Sequence, residues 1–237
     1  GISSSTPYIT DLTYSSGIMT NAGAKIRSNE TAILASRGMG NGFKVFGGIR
    51  LNQVKATVNK PFLGGAGNPT FSVAGGYQFE LDTGTSTGFA IGAAYEVPQI
   101  MLRASVQYNS EIKHSNAKIT ETLGTVTPSS PDDVISPSSM IIKLRSALSP
   151  RLLAFANWRS SQYKKLVLRG PVHTGANQGD IYDPESGTDY TLGVALKVND
   201  TLNLLVGTAK GQATDTGANE NALAPFKGNT ANFIGAT

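Results

Sequence analysis

The sequence contains no cysteine, which excludes disulfide bonds, thiolate metal sites and cysteine nucleophiles. It has no run of about 18 consecutive apolar residues, the length that a transmembrane helix requires. Charged residues make up only 15% of the 237 residues, whereas about 25% is typical of soluble domains. The net charge of +4 is too small to indicate nucleic-acid binding, so no nucleic-acid partner is expected.

What the sequence does contain is a strict alternation of apolar and polar residues. In residues 101–109, Leu102 and Val106 alternate with Arg103 and Gln107. A strand sends successive side chains to opposite faces, so this period of two predicts β-strands. The same pattern recurs in residues 89–97, 142–148, 191–198 and 201–209. Helical spacing is nowhere sustained, and the sequence therefore predicts an all-β chain.

The lengths of the predicted strands and connections indicate a membrane barrel. The strands run to about 10 residues, whereas strands of soluble sandwiches average about 5 or 6. Short turns alternate with long polar stretches, at residues 113–137, 165–188 and 212–227. We therefore expect an antiparallel transmembrane β-barrel in a Gram-negative outer membrane, in contact with membrane lipid and lipopolysaccharide. A soluble sandwich is the alternative, with loops of similar length at both ends.

Successive spanning strands must alternate in direction, and this parity of the strands divides the chain into parts. Residues 1–28 are expected to be an external loop before the first strand, and residues 29–237 to be part of one barrel domain. Residues 58–87 must then form one external hairpin excursion, which leaves nine spanning strands. Bacterial single-chain barrels have an even strand number, so we expect the chain to be a portion of a longer barrel.

Residues 93–114, AAYEVPQIMLRASVQYNSEIKH, resemble the signature of the outer-membrane long-chain fatty-acid and aromatic-hydrocarbon transporters, the FadL type. Residues 22–50 and 187–207 are similar to other segments of that family. The resemblance implies a barrel of about 14 strands with an N-terminal plug, of which this chain would hold the C-terminal nine strands. It also implies passive uptake of a long-chain fatty acid or other hydrophobic small molecule. We expect a monomer, without enzyme activity, cofactor or metal.

Several basic and aromatic residues fall on the strand faces that would line the lumen. Glu96 is the one clear acid expected among them. A basic, partly shielded interior attracts carboxylates, and apolar side chains beside it accept an alkyl chain. The lumen candidates are Arg50, Arg103, Lys143, Arg145, Arg159, Phe46 and Phe155. The alternative is that these residues form an ordinary polar lumen, in which arginines pair with a plug.

The excursion over residues 58–87 is rich in apolar side chains, which could form a capture groove for a hydrophobic ligand. Its candidate binding residues are Phe62, Leu63, Phe71 and Tyr77. Packing of the hairpin against neighbouring loops is the alternative.

Two further functions are weighed. A structural or adhesive barrel would bind a surface partner through its long loops. An enzyme would need a catalytic constellation, and residues 84–88 do match G-x-S-x-G. That motif works at a strand-to-helix elbow, whereas a strand pattern follows here. His114 and His173 lack the spacing of metal ligands, so no catalytic residue is expected.

Overall fold

The computed structural model describes residues 1–16, 20–60, 76–123, 125–126, 130–171, 181–182, 186–213 and 230–236. Strands dominate this part of the chain, with short 3-10 turns at Pro98–Ile100 and Tyr163–Lys165. Within the described ranges, no helix has the length and apolar character needed to cross a membrane.

Thirteen strands form one sheet within the described residues. They are β1 Ile2–Thr13, β2 Gly23–Gly40, β3 Phe43–Lys60, β4 Tyr77–Val97, β5 Leu102–Asn109, β6 Ile112–Leu123, β7 Thr125–Val126, β8 Ser130–Ser136, β9 Ser139–Ser149, β10 Leu152–Ser161, β11 Gly187–Lys197, β12 Asn203–Ala213 and β13 Thr230–Ala236. Ten of them form the continuous antiparallel path β1-β2-β3-β4-β5-β9-β10-β11-β12-β13. The predicted all-β antiparallel class is confirmed. No ladder joins β1 to β13 in the described residues, so the sheet is open there.

The nine spanning strands predicted from parity correspond to β2–β5 and β9–β13. Tight connections join these strands at one end of the sheet, hereafter the short-turn end. Asn41 and Gly42 connect β2 to β3 with positive φ angles of 48° and 83°, which suits Asn and Gly. The opposite end, hereafter the long-loop end, carries the longer connections. In barrels of this type the longer loops are extracellular.

The structure differs from the loop expected over residues 1–28, because β1 pairs with β2 from Ile2↔Ile33 to Thr13↔Gly23. The segment is rich in serine and threonine, so its apolar residues show no period of two. The register shifts between Ser5 and Tyr8, the stretch that contains a proline. A bulge accommodates the missing backbone donor of a proline, which explains how the strand tolerates it.

One face of the spanning strands is apolar and exposed. Val106, Ile142, Trp158 and Tyr190 lie in one row across β5, β9, β10 and β11. Leu192, beside them, is 54% exposed. Soluble monomers rarely expose contiguous apolar patches larger than a few hundred Å². This face is therefore the lipid-facing belt of a barrel wall.

Aromatic side chains mark both edges of the belt. Phe43 and Tyr95 have ring centroids 4.8 Å apart near the short-turn end. Phe89 and Tyr108 have centroids 6.3 Å apart toward the long-loop end. Phe89 and Tyr95 lie on the same strand at a separation of about 20 Å, from a rise of about 3.4 Å per residue. That separation is close to the apolar band of about 25 Å between the aromatic girdles of outer-membrane barrels.

Beyond the belt, the long-loop end carries a second unit, hereafter the external domain. It comprises β6–β8, the adjoining ends of β2–β4, and two short segments joined by the bridge Leu168↔Tyr182. Its interior is apolar and almost free of solvent. The core consists of Ala24, Ile26, Val54, Ala56, Val58, Tyr77, Phe79, Leu81, Ala117, Ile119, Val134, Leu166, Leu168, Ile181 and Tyr182.

The structure also differs from the polar loop expected over residues 113–137, where β6 pairs with both β4 and β8. Alternate residues of β6 are buried, but several of them are polar or small, such as His114 and Ala117. The register shift between those two residues further interrupts the period of two. Residues 61–75, in the predicted excursion over 58–87, lie outside the described residues.

Replacing Phe79 with alanine should destabilise the external domain without unfolding the barrel wall. Phe79 is fully buried, and such truncations cost about 3–5 kcal/mol. Amide hydrogen exchange in β6 should accelerate. An intact barrel migrates differently on a gel before and after boiling, and this shift should persist. Phe89→Ala, on the 49%-exposed lipid face, is the matched control and should leave β6 protected. Equal exchange in both variants would contradict a separate external core.

Candidate functional site

The second face of the spanning strands carries the predicted lumen residues. Across β4, β5, β9 and β10, one row of cross-strand neighbours consists of Glu96, Arg103, Arg145 and Phe155. Each of these residues is preceded and followed by residues that point to the opposite face. The pleat therefore separates a polar inner wall from the lipid-facing belt.

A concavity of about 650 Å³ lies on this inner wall near the short-turn end. Five of the seven predicted lumen residues line it together, namely Phe46, Arg103, Lys143, Arg145 and Phe155. They come from β3, β5, β9 and β10, so only the assembled sheet brings them together. Lys44, Ser105, Gln107 and Asn157 line it as well.

The charges around the concavity are unbalanced. The Glu96 carboxylate forms two ion pairs, one from Oε2 to Lys44 Nζ at 2.6 Å and one from Oε1 to Arg103 Nη1 at 3.3 Å. It is the one carboxylate among the described lining residues. Lys143 and Arg145 have no ion pair with any described carboxylate. This wall therefore has an excess of positive charge and can accept an anionic group.

Arg50 lies elsewhere, with a guanidinium group that is already occupied. Its side chain is 5% exposed and forms a two-pronged ion pair with Glu30, with Nε 3.0 Å from Oε1. Its Nη1 donates a hydrogen bond of 2.8 Å to the carbonyl oxygen of Ser110. In this structure Arg50 joins β2, β3 and the end of β5 and is not available to a ligand.

Arg159 also lies outside the lining of the concavity. It faces Asp189 across β10 and β11, and its Nε donates a hydrogen bond of 3.1 Å to Ser161 Oγ. Arg159 is half-buried on the inner wall, closer to the long-loop end than Phe155 is.

The candidates in the excursion have a different outcome. Phe62, Leu63 and Phe71 lie outside the described residues. Tyr77 is 2% exposed in the core of the external domain, and its hydroxyl donates a hydrogen bond of 2.6 Å to Glu121. Burial, with a smaller effect of the Glu121 carboxylate, raises the pKa of Tyr77. Its ring therefore packs the domain and does not face an open groove, contrary to expectation.

A buried polar layer separates the concavity from the external core. Along the inner face of β3, Phe46 lies at the concavity, Asn52 in this layer and Val54 in the core. Asn52 donates to Ser28 Oγ at 2.8 Å and accepts from Ser136 Oγ at 2.9 Å. The polar layer is therefore a cross-linked network that joins β2, β3 and β8.

His114 completes this layer from β6. Its Nε2 lies 2.9 Å from Ser136 Oγ, whereas Nδ1 has no hydrogen-bond partner among the described residues. The residue is fully buried, and desolvation lowers the pKa of His114 to about 4. The imidazole is therefore neutral at pH 7.

Sequence reasoning missed Lys44 and the polar layer. Lys44 has the same parity as Phe46, so the period of two could have placed it on the inner wall. The network around Asn52 joins residues far apart in sequence, and no local pattern in the chain identifies it.

No protein-family model and no curated protein matches the chain. Among solved structures, a Pseudomonas aeruginosa FadL homologue matches with a TM-score of 0.74 and 15% identity, over 99% of this chain and 61% of that one. The deltaS2 mutant of the monoaromatic hydrocarbon channel TodX matches with a TM-score of 0.55 and 12% identity, over 99% and 68%. The Pseudomonas putida toluene transporter TodX matches at 0.50 and 13%, over 89% and 63%. The chain has the fold of FadL-type barrels.

This likeness confirms, at the level of the fold, the resemblance seen in residues 93–114 and the prediction of an outer-membrane type of barrel. The chain spans 61% of the length of the FadL homologue. That share agrees with the expectation that the chain corresponds to a portion of a FadL-type barrel.

Arg50→Met should destabilise the protein by about 3–5 kcal/mol, because it leaves the Glu30 carboxylate buried without its partner. When samples are heated to increasing temperatures before electrophoresis, the folded band should be replaced by the unfolded band at a lower temperature than in the wild type. Arg103→Met is the matched control, since the Arg103 side chain is 45% exposed and such ion pairs contribute about 1 kcal/mol or less. Equal conversion temperatures in both variants would argue against a structural role for Arg50.

Acidification should weaken the external domain. The pKa of folded His114, about 4, lies below its ordinary 6.5, so the unfolded state takes up the proton first. The external domain therefore keeps its full stability above pH 6.5 and loses about 3 kcal/mol of it as the pH falls toward 4. Hydrogen exchange of β6, corrected for its intrinsic pH dependence, should report this loss. His114→Gln should flatten the pH dependence of exchange. An exchange profile identical to that of the wild type would contradict the role of His114 in the loss of stability.

Proposed function

We propose that the chain is part of an outer-membrane channel through which long-chain fatty acids and related hydrophobic compounds cross passively. In this proposal Arg103, Lys143 and Arg145 attract the carboxylate, while Phe46 and Phe155 contact the alkyl chain. The ligand moves down its own concentration gradient, so the mechanism needs no cofactor or catalytic group.

The excess of cationic side chains around the concavity carries this proposal. Lys143 and Arg145 form no ion pair with a described carboxylate, and they lie within a barrel wall where the local dielectric is lower than in water. Charge-assisted hydrogen bonds between arginine and a carboxylate are about twice as strong as neutral ones. The two phenylalanine rings at the same concavity offer apolar contacts beside the charges.

The fold supports the broader class of function. One matching structure is described as a monoaromatic hydrocarbon channel and another as a toluene transporter. Both descriptions concern small hydrophobic compounds. The inner wall of this chain adds positive charge to apolar contacts, which favours a ligand that also carries a carboxylate.

Two sets of predicted residues have secondary roles in this proposal. Arg159 lies farther along the inner wall, facing Asp189, and would guide a carboxylate from the long-loop end. Phe62, Leu63 and Phe71 remain proposed contacts for initial capture. Arg50 supports the wall through Glu30 and would act on uptake through the structure alone.

Charge reversal of the inner wall tests the proposal. Arg103→Glu and Arg145→Glu should each lower the uptake of radiolabelled hexadecanoate about tenfold or more, because a wall carboxylate repels the ligand carboxylate. Uptake is measured in cells that produce the intact protein, with toluene uptake followed in parallel. Toluene carries no charge, so its uptake should change little.

Arg151→Glu is the matched control, since Arg151 is exposed in the turn between β9 and β10. It should leave hexadecanoate uptake unchanged. Wild-type uptake of hexadecanoate in both lumen variants would contradict the proposed role of the basic wall.

A further inference from the structure

The row that contains Arg103 and Arg145 continues past the concavity with a different chemistry. Beyond Phe155 on β10, it passes through Gly193 on β11, Gly207 on β12 and Phe233 on β13. A Cβ added to Gly193 would overlap the Phe155 ring, and one added to Gly207 would overlap the Phe233 ring. Each ring therefore covers a facing glycine, and this part of the row is a half-buried apolar surface.

The neighbouring row toward the short-turn end extends this surface. It consists of Leu153, Ala195, Leu205 and Gly235 in direct cross-strand register. Neither row contains a charged or polar side chain on β10–β13. The two rows form an apolar strip, hereafter the tail strip, that runs across four strands of the inner wall.

The basic and apolar parts meet at one cross-strand pair, Arg145↔Phe155. On the basic side, Arg103 and Arg145 face each other directly. Like charges in that position destabilise a sheet unless an anion lies between them. Glu96 is 3.3 Å from Arg103 and also pairs with Lys44, so the carboxylate available to Arg145 is shared. The pair therefore favours an additional anion at one end of the tail strip.

The dimensions select the length of the occupant. Strands lie about 4.8 Å apart, so the four spacings from β9 to β13 measure about 19 Å along the wall. An extended alkyl chain advances about 1.3 Å per carbon, from C–C bonds of about 1.5 Å at tetrahedral angles. The distance from Arg145 to Phe233 thus matches an unbranched chain of about 15 carbons.

From this juxtaposition we infer a binding site for a single unbranched carboxylate, which lies around the barrel wall along one hydrogen-bonded row. Its carboxylate binds Arg103 and Arg145, and its alkyl chain lies over the tail strip and ends at Phe233. The site rests on the proposed function and adds a specific orientation and a preferred chain length. Gly193 and Gly207 are positioning residues, since their missing side chains let the two rings lie flat.

The test uses the intact protein in detergent with bound 11-(dansylamino)undecanoic acid, displaced by hexadecanoate, octanoate or 1-hexadecanol. Phe233→Ala should weaken the binding of hexadecanoate about five- to tenfold, because apolar contact is lost. Octanoate should be unaffected, because its chain of about 10 Å ends before β13. Arg145→Gln should weaken both carboxylates about tenfold and leave 1-hexadecanol unchanged.

Ile234→Ala is the matched control, since Ile234 is the next residue but faces lipid and is 81% exposed. It should bind all three compounds as the wild type does. Leu205→Asn, in the second row, is an independent variant with the same expected dependence on chain length. Folding of each variant is checked by the shift of its gel band on boiling.

The outcomes separate the site from the function. The site is wrong and the proposed function stands if the wild type binds hexadecanoate but Phe233→Ala and Leu205→Asn keep their affinity for both hexadecanoate and octanoate. The same conclusion follows if these variants lose affinity for the two compounds equally. If the wild type binds neither carboxylate, the proposed function fails as well. Loss confined to hexadecanoate in the tail variants, with Arg145→Gln weakening both carboxylates, supports the site.

Discussion

A strand that crosses lipid must pair all its backbone N–H and C=O groups within the protein, since no water is present to bond them. Long uninterrupted ladders satisfy this demand here. β11 and β12, for example, pair from Gly187↔Ala213 to Lys197↔Asn203 without a register shift. Once such a register is set, the face of every side chain follows, because a slip of one residue exchanges the two faces. Leu144 and Arg145, adjacent in sequence, therefore face lipid and lumen respectively.

Because the register is fixed along its whole length, one strand can pass through several different environments in succession. On the inner face of β3, Phe46 lines the concavity, Arg50 pairs with Glu30, Asn52 belongs to the buried polar layer, and Val54 enters the external core. In the polar layer hydrogen bonds link Asn52 with Ser28 and Ser136, whereas Nδ1 of His114 has no partner among the described residues. Such networks hold neighbouring strands at fixed separations, which stabilises the wall that carries Arg103, Lys143 and Arg145.

The sequence predicted best the features that follow from a period of two. The lipid-facing belt and the inward direction of Arg103, Lys143 and Arg145 come from local alternation. The nine spanning strands come from that alternation in five segments together with the required reversal of direction from strand to strand. The structure departs from prediction where the alternating residues are small or polar, as in β1 and β6. The occupied state of Arg50 depends on Glu30, a residue of another strand, so its cause is tertiary. The tail strip likewise exists only through register, since each of its two rows takes its four residues from four different strands.

The β6–β8 segment of the external domain begins and ends beside a single cross-strand pair of the wall. Asn109, the last residue of β5, pairs directly with Ser139, the first of β9, and their side chains share a hydrogen bond of 3.0 Å. The intervening residues are therefore an insertion between two strands that are already neighbours. In evolutionary terms, such a segment can be lengthened, shortened or replaced while β5 and β9 keep each other as partners. Change in the segment outside the wall and constancy of the β5–β9 ladder can thus arise independently within one chain.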